Sequence, residues 1–295
     1  MKTIDTLIHD IDNIFLNKDH KVSDVNLKLF CDNLANVVKD HIEQAGNRKQ
    51  TKLRMSNLGL PDRQLYFDVN TESEKKVNPE LERRFLMGHV VEHLLLFLAR
   101  EAGHKVTHEQ MTVSVDGVEG HTDCAIDDVP TDAKSVSPYQ TGKFKSKEAL
   151  KENDGYGYIT QIAGYREALK GDSTIDQSRA MILAQDKSSG DLYPVIFDKS
   201  ELPDVPERIA YVKAMLAKPE PPKKLCYEPV SKGKGGNEVL NVGCKFCPHK
   251  FRCFPDLRVF NYSNGYEYFT KVLSEPIVPE VKSFGKKTAE EDFYA

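Results

Sequence analysis

No stretch of the 295-residue chain stays apolar for longer than Leu94–Ala99, far short of the roughly 20 residues that a membrane-spanning helix needs. The opening residues, MKTIDTLIHDID, carry acids where a secretory leader needs an unbroken apolar run. A membrane partner is therefore not expected, and the cytoplasm is the expected compartment. There the six cysteines would be reduced or bound to metal, not paired in disulfides. No Gly-x4-Gly-Lys-Ser/Thr loop occurs, which argues against a nucleotide cofactor or a built-in helicase motor. An excess of positive charge is missing too: the formal charge of −4 provides no global attraction to nucleic acid. No internal repeat is found. What is present, 39% hydrophobic and 29% charged residues, is the composition of a soluble globular protein. The length suits one large domain, or a core with one or two small lobes.

The basic residues are bunched. Lys143, Lys145 and Lys147 alternate in one predicted loop. Between Lys223 and Cys253, seven Lys or Arg, among them Lys250 and Arg252, stand against two acids, Glu228 and Glu238. Each patch reads either as a solvated surface or as a DNA-binding funnel for phosphates.

Residues 1–50 have an amphipathic helical pattern, clearest in LKLFCDNLANVVKDHI. LRMSNLGLPDRQLYFDV then reads as a turn leading into packed aromatic structure. Asn78 as N-cap, Pro79 at the first helical position and Gly103 as the stop bound a well-marked helix. Strand-like runs follow at 105–115, 118–126 and 131–137, then a basic loop and a helix near 156–170. RAMILAQDKSSGDLYPVIFD reads as a hairpin turning at Ser188–Asp191. A helix near 203–217 ends at Pro219, Pro221 and Pro222. This order predicts an α/β protein with a mixed central sheet flanked by helices. The expected divisions are a helical lobe (1–77), the core (78–200), a C-terminal helix with a four-cysteine lobe (201–270) and a mobile tail (271–295).

The most informative stretch is GHTDCAIDDVPTDAKSVS, from Gly120 to Ser137. Strand alternation places Asp132 and Lys134 on one face and turns Ala133 to the other. A two-residue loop at Asp127 and Asp128 would set Asp123 opposite Asp132; a four-residue loop would set it opposite Lys134. A three-residue loop would send Asp123 to the other face. Two carboxylates about 5 Å apart repel each other unless a cation lies between them. Oxygen-rich, partly hydrated sites of this kind suit Mg²⁺ or Mn²⁺. The helix before the strands adds a third acid. Its stripe of Leu81, Phe85, Gly88, Glu92, Leu95 or Leu96, and Ala99 is apolar apart from Glu92. A buried carboxylate there calls for a metal ion or for an Arg or Lys partner. His93 is a weaker candidate ligand.

Asp-x-Lys alone carries little, but Asp123 on one strand, Asp132 and Lys134 on the next and Glu92 on the preceding helix together resemble the PD-(D/E)XK nuclease superfamily. The nearest likeness is to its RecB-type branch, with lambda-type exonucleases and CRISPR-associated iron–sulfur nucleases. Gly88 and Glu92 match that branch's Gly-x3-His/Glu helix, and Gln161 and Tyr165 in YITQIAGYREAL match its Gln-x3-Tyr helix. Thr122 stands where the superfamily's name has proline. The resemblance implies a restriction-endonuclease-like core and metal-dependent hydrolysis of DNA phosphodiesters. Glu92, Asp123, Asp132 and the Ala133 carbonyl would hold one or two Mg²⁺ or Mn²⁺ ions. Lys134 would orient the attacking water and stabilise charge on the phosphate, with Gln161 and Tyr165 positioning the strand.

Cys226, Cys244, Cys247 and Cys253 form a set whose last three are spaced C-x2-C-x5-C. Four thiols in a reducing compartment suit a metal, either tetrahedral zinc or a four-iron, four-sulfur cluster. The trio resembles the C-terminal cluster ligands of RecB-type iron–sulfur nucleases, which favours the cluster. Those proteins draw their first ligand from an N-terminal segment that has no cysteine here, so Cys226 is taken as the fourth. Cys31, on an amphipathic helix, reads as a buried structural residue, and Cys124 as core.

The leading expectation is a DNA exonuclease acting on linear DNA in phage-type replication, recombination or repair, in the host cytoplasm if phage-encoded. A structure- or sequence-selective endonuclease on the same fold is the second reading. A non-catalytic nucleic-acid-binding module with a structural zinc or iron–sulfur site is the third. The terminal AEEDFYA could dock on a replication or recombination protein, or form a free tail.

Overall fold

The computed structural model describes residues 2–45, 52–71 and 78–282. Of the expected mobile tail (271–295), residues 283–295, and with them the docking expectation for AEEDFYA, lie outside the described residues. In the described part Val281 N–H donates to the Val259 carbonyl at 2.8 Å, and Arg258 pairs with Glu275 and Glu280. The chain forms two compact units: residues 1–48, 52–59 and 77–212, and residues 49–51, 60–76 and 213–295.

In the first unit a 3-10 turn (Ile4–Thr6) leads into α1 (Leu7–Leu16) and α2 (Asp24–Gln44). A second 3-10 turn covers Met55–Asn57, and α4 runs over Pro79–Glu101. The short α3 between them (Asp62–Asn70) belongs to the second unit. Both ends of α4 follow from its sequence. The Asn78 side chain accepts from the N–H groups of Glu80 and Leu81, with Pro79 just inside. At the other end Gly103 takes φ +82°. His104 N–H then reaches the Ala99 carbonyl at 3.0 Å and Gly103 N–H that of Arg100 at 2.8 Å. Those two bonds satisfy carbonyls the helix would leave open.

The strands are β1 (Val106–Thr107), β2 (Thr112–Val115), β3 (Val118–His121), β4 (Cys124–Ile126), β5 (Val129–Val136), β6 (Arg179–Asp186) and β7 (Leu192–Asp198). Five of them form a mixed sheet in the order β1-β4-β5-β6-β7, in which only β5 and β6 run parallel. A parallel neighbour requires a crossover. A 3-10 turn (Thr141–Phe144), α5 (Lys147–Glu152) and α6 (Tyr158–Ala168) provide it. The chain is thus mixed α/β, its central sheet flanked by helices. Ala180–Ala184 of β6 are all fully buried, as a strand covered on both faces requires. Cys124 and Ala133 pack with Leu95, Leu96 and Ala99 of α4 and Leu7 and Ile11 of α1.

Several expectations need correction. The run 105–115 is two strands, broken where His108 and Gln110 adopt φ 55° and 50°. The run 118–126 breaks at Thr122 and Asp123, leaving β2 and β3 as a separate hairpin. Cys31 is exposed, not buried, because α2 has no fully buried residue. On α4 the apolar stripe is buried only from Val91 onward, and Phe85 is 42% exposed. The basic stretch at 143–147 is not an open loop, since it holds the 3-10 turn and the start of α5.

After α7 (Val205–Leu216) come β8 (Val230–Lys232), β9 (Asn237–Val239), α8 (Val242–Lys245), α9 (Lys250–Cys253), β10 (Arg258–Tyr262) and β11 (Gly265–Lys271). In the second unit, which also holds α3, the four strands form an antiparallel sheet in the order β10-β11-β9-β8. Leu240, Cys244, Val259 and Tyr268 form one core cluster and Val239, Phe260 and Phe269 another.

Two glycines should respond oppositely to alanine. A Cβ on Gly88, inside α4, would meet nothing within 4 Å. Gly88→Ala is expected to raise stability by up to about 1 kcal/mol, the helix preference of alanine over glycine. Gly157 has φ +74° and its Cβ would lie 2.4 Å from the backbone of Gly59. Gly157→Ala is expected to cost at least about 1–2 kcal/mol from the left-handed backbone alone. Urea unfolding of both variants checks the pair.

Candidate active site

β4 and β5 are joined by the two-residue turn Asp127–Asp128, with φ 48° and 69°. Positive φ at both central residues is the hairpin geometry that matches strand twist. Ile126 pairs with Val129 and Cys124 with Thr131, so the same register carried one residue further sets Asp123 opposite Asp132. Of the three loop lengths the sequence allowed, the shortest is adopted. The Ala133 N–H donates to Asp123 Oδ2 at 2.8 Å, so the atom of Ala133 that reaches the acids is its N–H.

Asp132 has no exposed surface. Lys134 Nζ donates to its Oδ1 at 2.9 Å and to Gln161 Oε1 at 3.3 Å. Gln161 Nε2 in turn donates to Tyr165 OH at 2.9 Å. The structure therefore links Asp132, Lys134, Gln161 and Tyr165 in one chain of contacts between β5 and α6. Asp132 Oδ2 lies 2.7 Å from the same Lys134 Nζ, so both oxygens of the buried carboxylate face one ammonium.

Burial, together with the charges of Asp132 and Glu92, holds Asp123 well above the usual carboxylate range. Asp132 is also raised by burial, against the opposing pull of Lys134. Burial would lower Lys134, but the charges of Asp132 and Asp123 outweigh it and raise its proton affinity. Burial pushes Tyr165 up as well.

Glu92 keeps 12% of its side chain exposed and accepts from the Gln110 amide, with His89 Nδ1 at 3.9 Å. Among the described residues no Lys or Arg forms an ion pair with it, so the alternative to metal ligation is supplied by an amide and an imidazole. His93 is buried in α4, and desolvation lowers its imidazole.

The sequence did not point to Gln110. It adopts φ 50°, its N–H donates to the Asp123 carbonyl at 3.3 Å, and its side chain donates to Glu92. One residue thus touches two of the three acids. Nothing in a Gln between Glu109 and Met111 marks a left-handed conformation. Thr122 supports the same corner. Its hydroxyl donates to the His108 carbonyl at 2.7 Å and its N–H to the Met111 carbonyl at 3.0 Å. A proline at that position could not make the second bond.

The basic residues are dispersed. Lys143 is half-buried over the rings of Tyr156 and Tyr158, at 4.6 and 5.6 Å. Lys145 is exposed, and Lys147 is paired with Glu201 at 2.7 Å. In the second unit Lys250 is buried with its ammonium 4.8 Å from the Tyr268 ring, while Arg252 is exposed.

Cys226, Cys244, Cys247 and Cys253 all line one cavity of the second unit, which Gln64 of α3 also lines. Arg63 Nε donates to Cys253 Sγ at 3.3 Å, and the backbone N–H groups of Arg63 and Gln64 bond to Cys226. Burial raises the Cys226 thiol, pushes Cys244 up to about 11 and pushes Cys247 up to about 12. Proximity adds to this, since a thiolate at Cys253 opposes ionisation of all three. Donors aimed at sulfur suit thiolates bound to metal. Among the described residues, neither these cysteines nor the acids are drawn together into a group of three or more ready to enclose an ion. The donor types nevertheless fit: three carboxylates with one ammonium among them at the sheet, and four thiols in the C-terminal cavity.

Gln110→Gly should leave stability unchanged or improved, because glycine adopts the left-handed backbone freely. It should weaken Mn²⁺ binding by roughly 10-fold through lost orientation of Glu92, measured by titration calorimetry without DNA. In metal-free protein at pH 8, exposed Cys31 should be alkylated quickly. Cys244 and Cys247 should react slowly, because titration midpoints of about 11 and 12 keep them protonated. Peptide mapping after brief iodoacetamide treatment reads this directly. No protein-family model matches the chain, and no curated protein matches it.

Proposed function

We propose that the chain is a metal-dependent deoxyribonuclease with a restriction-endonuclease-like core, acting as an exonuclease on linear DNA in phage-type replication, recombination or repair. One observation supports the reading above all others: three carboxylates meet here, and burial together with the charge of Glu92 raises the proton affinity of both Asp123 and Asp132. Among the described residues Lys134 is the one ammonium paired with any of them, 2.7 Å from Asp132 Oδ2. A site so short of positive charge is a site for a cation.

Asp123, Asp132 and Glu92 would hold Mg²⁺ or Mn²⁺, which when bound lowers the pKa of water and offsets charge on a phosphate. The chain's own residues do the rest. Lys134, on the same strand face as Asp132, presents an ammonium to the phosphate and stabilises charge that grows during in-line displacement. Gln161 takes its orientation from Tyr165 and holds Lys134 in place. Gln110 keeps Glu92 turned toward the two aspartates. The thiols of Cys226, Cys244, Cys247 and Cys253 would hold a four-iron, four-sulfur cluster or zinc, joining α3 to the C-terminal segments of its own unit. That role is structural.

Digestion of end-labelled linear and circular DNA, with Mg²⁺ or Mn²⁺ and with EDTA, tests the reading. Wild type is expected to degrade linear DNA only with metal, and Lys134→Ala to lose at least about 100-fold in rate. Cutting of circles would make the enzyme an endonuclease. No cleavage of either substrate by cluster-loaded protein would leave a DNA-binding module in its place.

A further inference from the structure

Next to Lys134 the chain presents two tyrosines and a second lysine. Lys134 Nζ lies 5.2 Å from the centre of the Tyr158 ring. Tyr156 and Tyr158 have ring centroids 5.5 Å apart and planes inclined by only 22°. Lys143 Nζ sits 4.6 Å from the Tyr156 ring and 5.6 Å from the Tyr158 ring. The stacked pair thus has Lys134 against Tyr158 and Lys143 against both rings. Tyr156, at the outer end, is 53% exposed.

Lys143 differs from its neighbours. Lys147 and Lys151 are both committed to Glu201, at 2.7 and 3.1 Å. Among the described residues no carboxylate lies within ion-pair distance of Lys143. The nearby Asp154 is engaged elsewhere, accepting from the N–H groups of Tyr158 and Ile159 at 2.8 and 2.9 Å to start α6. Burial lowers the proton affinity of Lys143, the cost of a half-buried ammonium that aromatic faces only partly offset. A phosphate would meet that need.

The platform is also rigid. Gly157 lies between the two tyrosines with φ +74°, packed so closely on Gly59 that neither residue has room for a Cβ. A half-exposed ring fixed beside an unpaired ammonium is the arrangement that binds single-stranded nucleic acid: the base stacks on the ring and the phosphate meets the charge. Inside a duplex both faces of a base are already covered by its neighbours, so such a platform selects an unpaired or terminal base.

We propose that Tyr156, backed by Tyr158, stacks an unpaired base of the DNA strand next to the scissile phosphate, while Lys143 holds the adjoining phosphate. The inference rests on the nuclease reading, deepens it, and assigns the substrate near the site a single-stranded end.

The test uses full-length wild type, Tyr156→Ala and Tyr156→Phe in EDTA, with two fluorescently labelled probes. One is a short single-stranded oligonucleotide carrying 2-aminopurine at its terminal base; the other is a covalently closed circular duplex, which has neither ends nor unpaired loops. Wild type is expected to bind the oligonucleotide and quench the 2-aminopurine. Tyr156→Ala should weaken that binding about 10-fold and abolish the quenching. Tyr156→Phe, which keeps the ring, should retain both, and the closed duplex should bind all three proteins alike. The Tyr156 side chain is half in solvent, so melting temperatures should stay close. Unchanged oligonucleotide affinity in Tyr156→Ala, or equal losses on both probes, overturns the shelf. If wild type still cleaves DNA with metal, that failure leaves the nuclease reading intact; a wild type that neither binds nor cleaves DNA overturns both.

Discussion

A carboxylate with no exposed surface, Asp132, is the constraint around which the first unit is organised. An unpaired carboxylate in a protein interior is costly by several kcal/mol, and partners must be brought to it from more than one element. Lys134 comes from the same strand two residues on, which the pleat places on the same face. Gln161 and Tyr165 come from α6, four residues apart and therefore on one helical face. Asp123 arrives from β4 because the turn at Asp127–Asp128 is as short as a hairpin allows. Against Asp123, Asp132 and Glu92 the described residues set one ammonium, that of Lys134, so the local charge is left unbalanced by the polypeptide alone.

Backbone strain gathers at the same place. His108 and Gln110 are non-glycine residues in the left-handed region, at roughly 1–2 kcal/mol each. Their segment holds Thr122 through its hydroxyl and its N–H, and carries the amide that reaches Glu92. Such strain persists only where surrounding structure over-determines it. The neighbours are well suited to that: β5 lies in the sheet beside β6, whose centre is fully buried, and α4 is closed at both ends.

The C-terminal unit poses the same electrostatic problem with sulfur in place of oxygen. Burial and neighbouring sulfurs raise Cys226, Cys244 and Cys247, while N–H groups of Arg63, Gln64 and His249 point at sulfur. In both units ionisation of one group opposes that of the next, and in both the proposed remedy is a metal cation.

Local signals in the sequence determined the α/β class, the limits of α4 and the common face of Asp132 and Lys134. A cap, a left-handed glycine and a two-residue pleat act over only a few residues. The hairpin that became β6 and β7 and the shared helical face of Gln161 and Tyr165 were legible for the same reason. Tertiary structure alone decided which of three loop lengths set the Asp123 register, since Asp-Asp permits each. It alone placed Gln110 on Glu92, exposed Cys31 and Phe85, and buried Lys250 against Tyr268. It also grouped α3 with the C-terminal cysteines, far away along the chain. Those outcomes depend on which elements meet across long sequence separations, and hydrophobic period and charge count are silent on that.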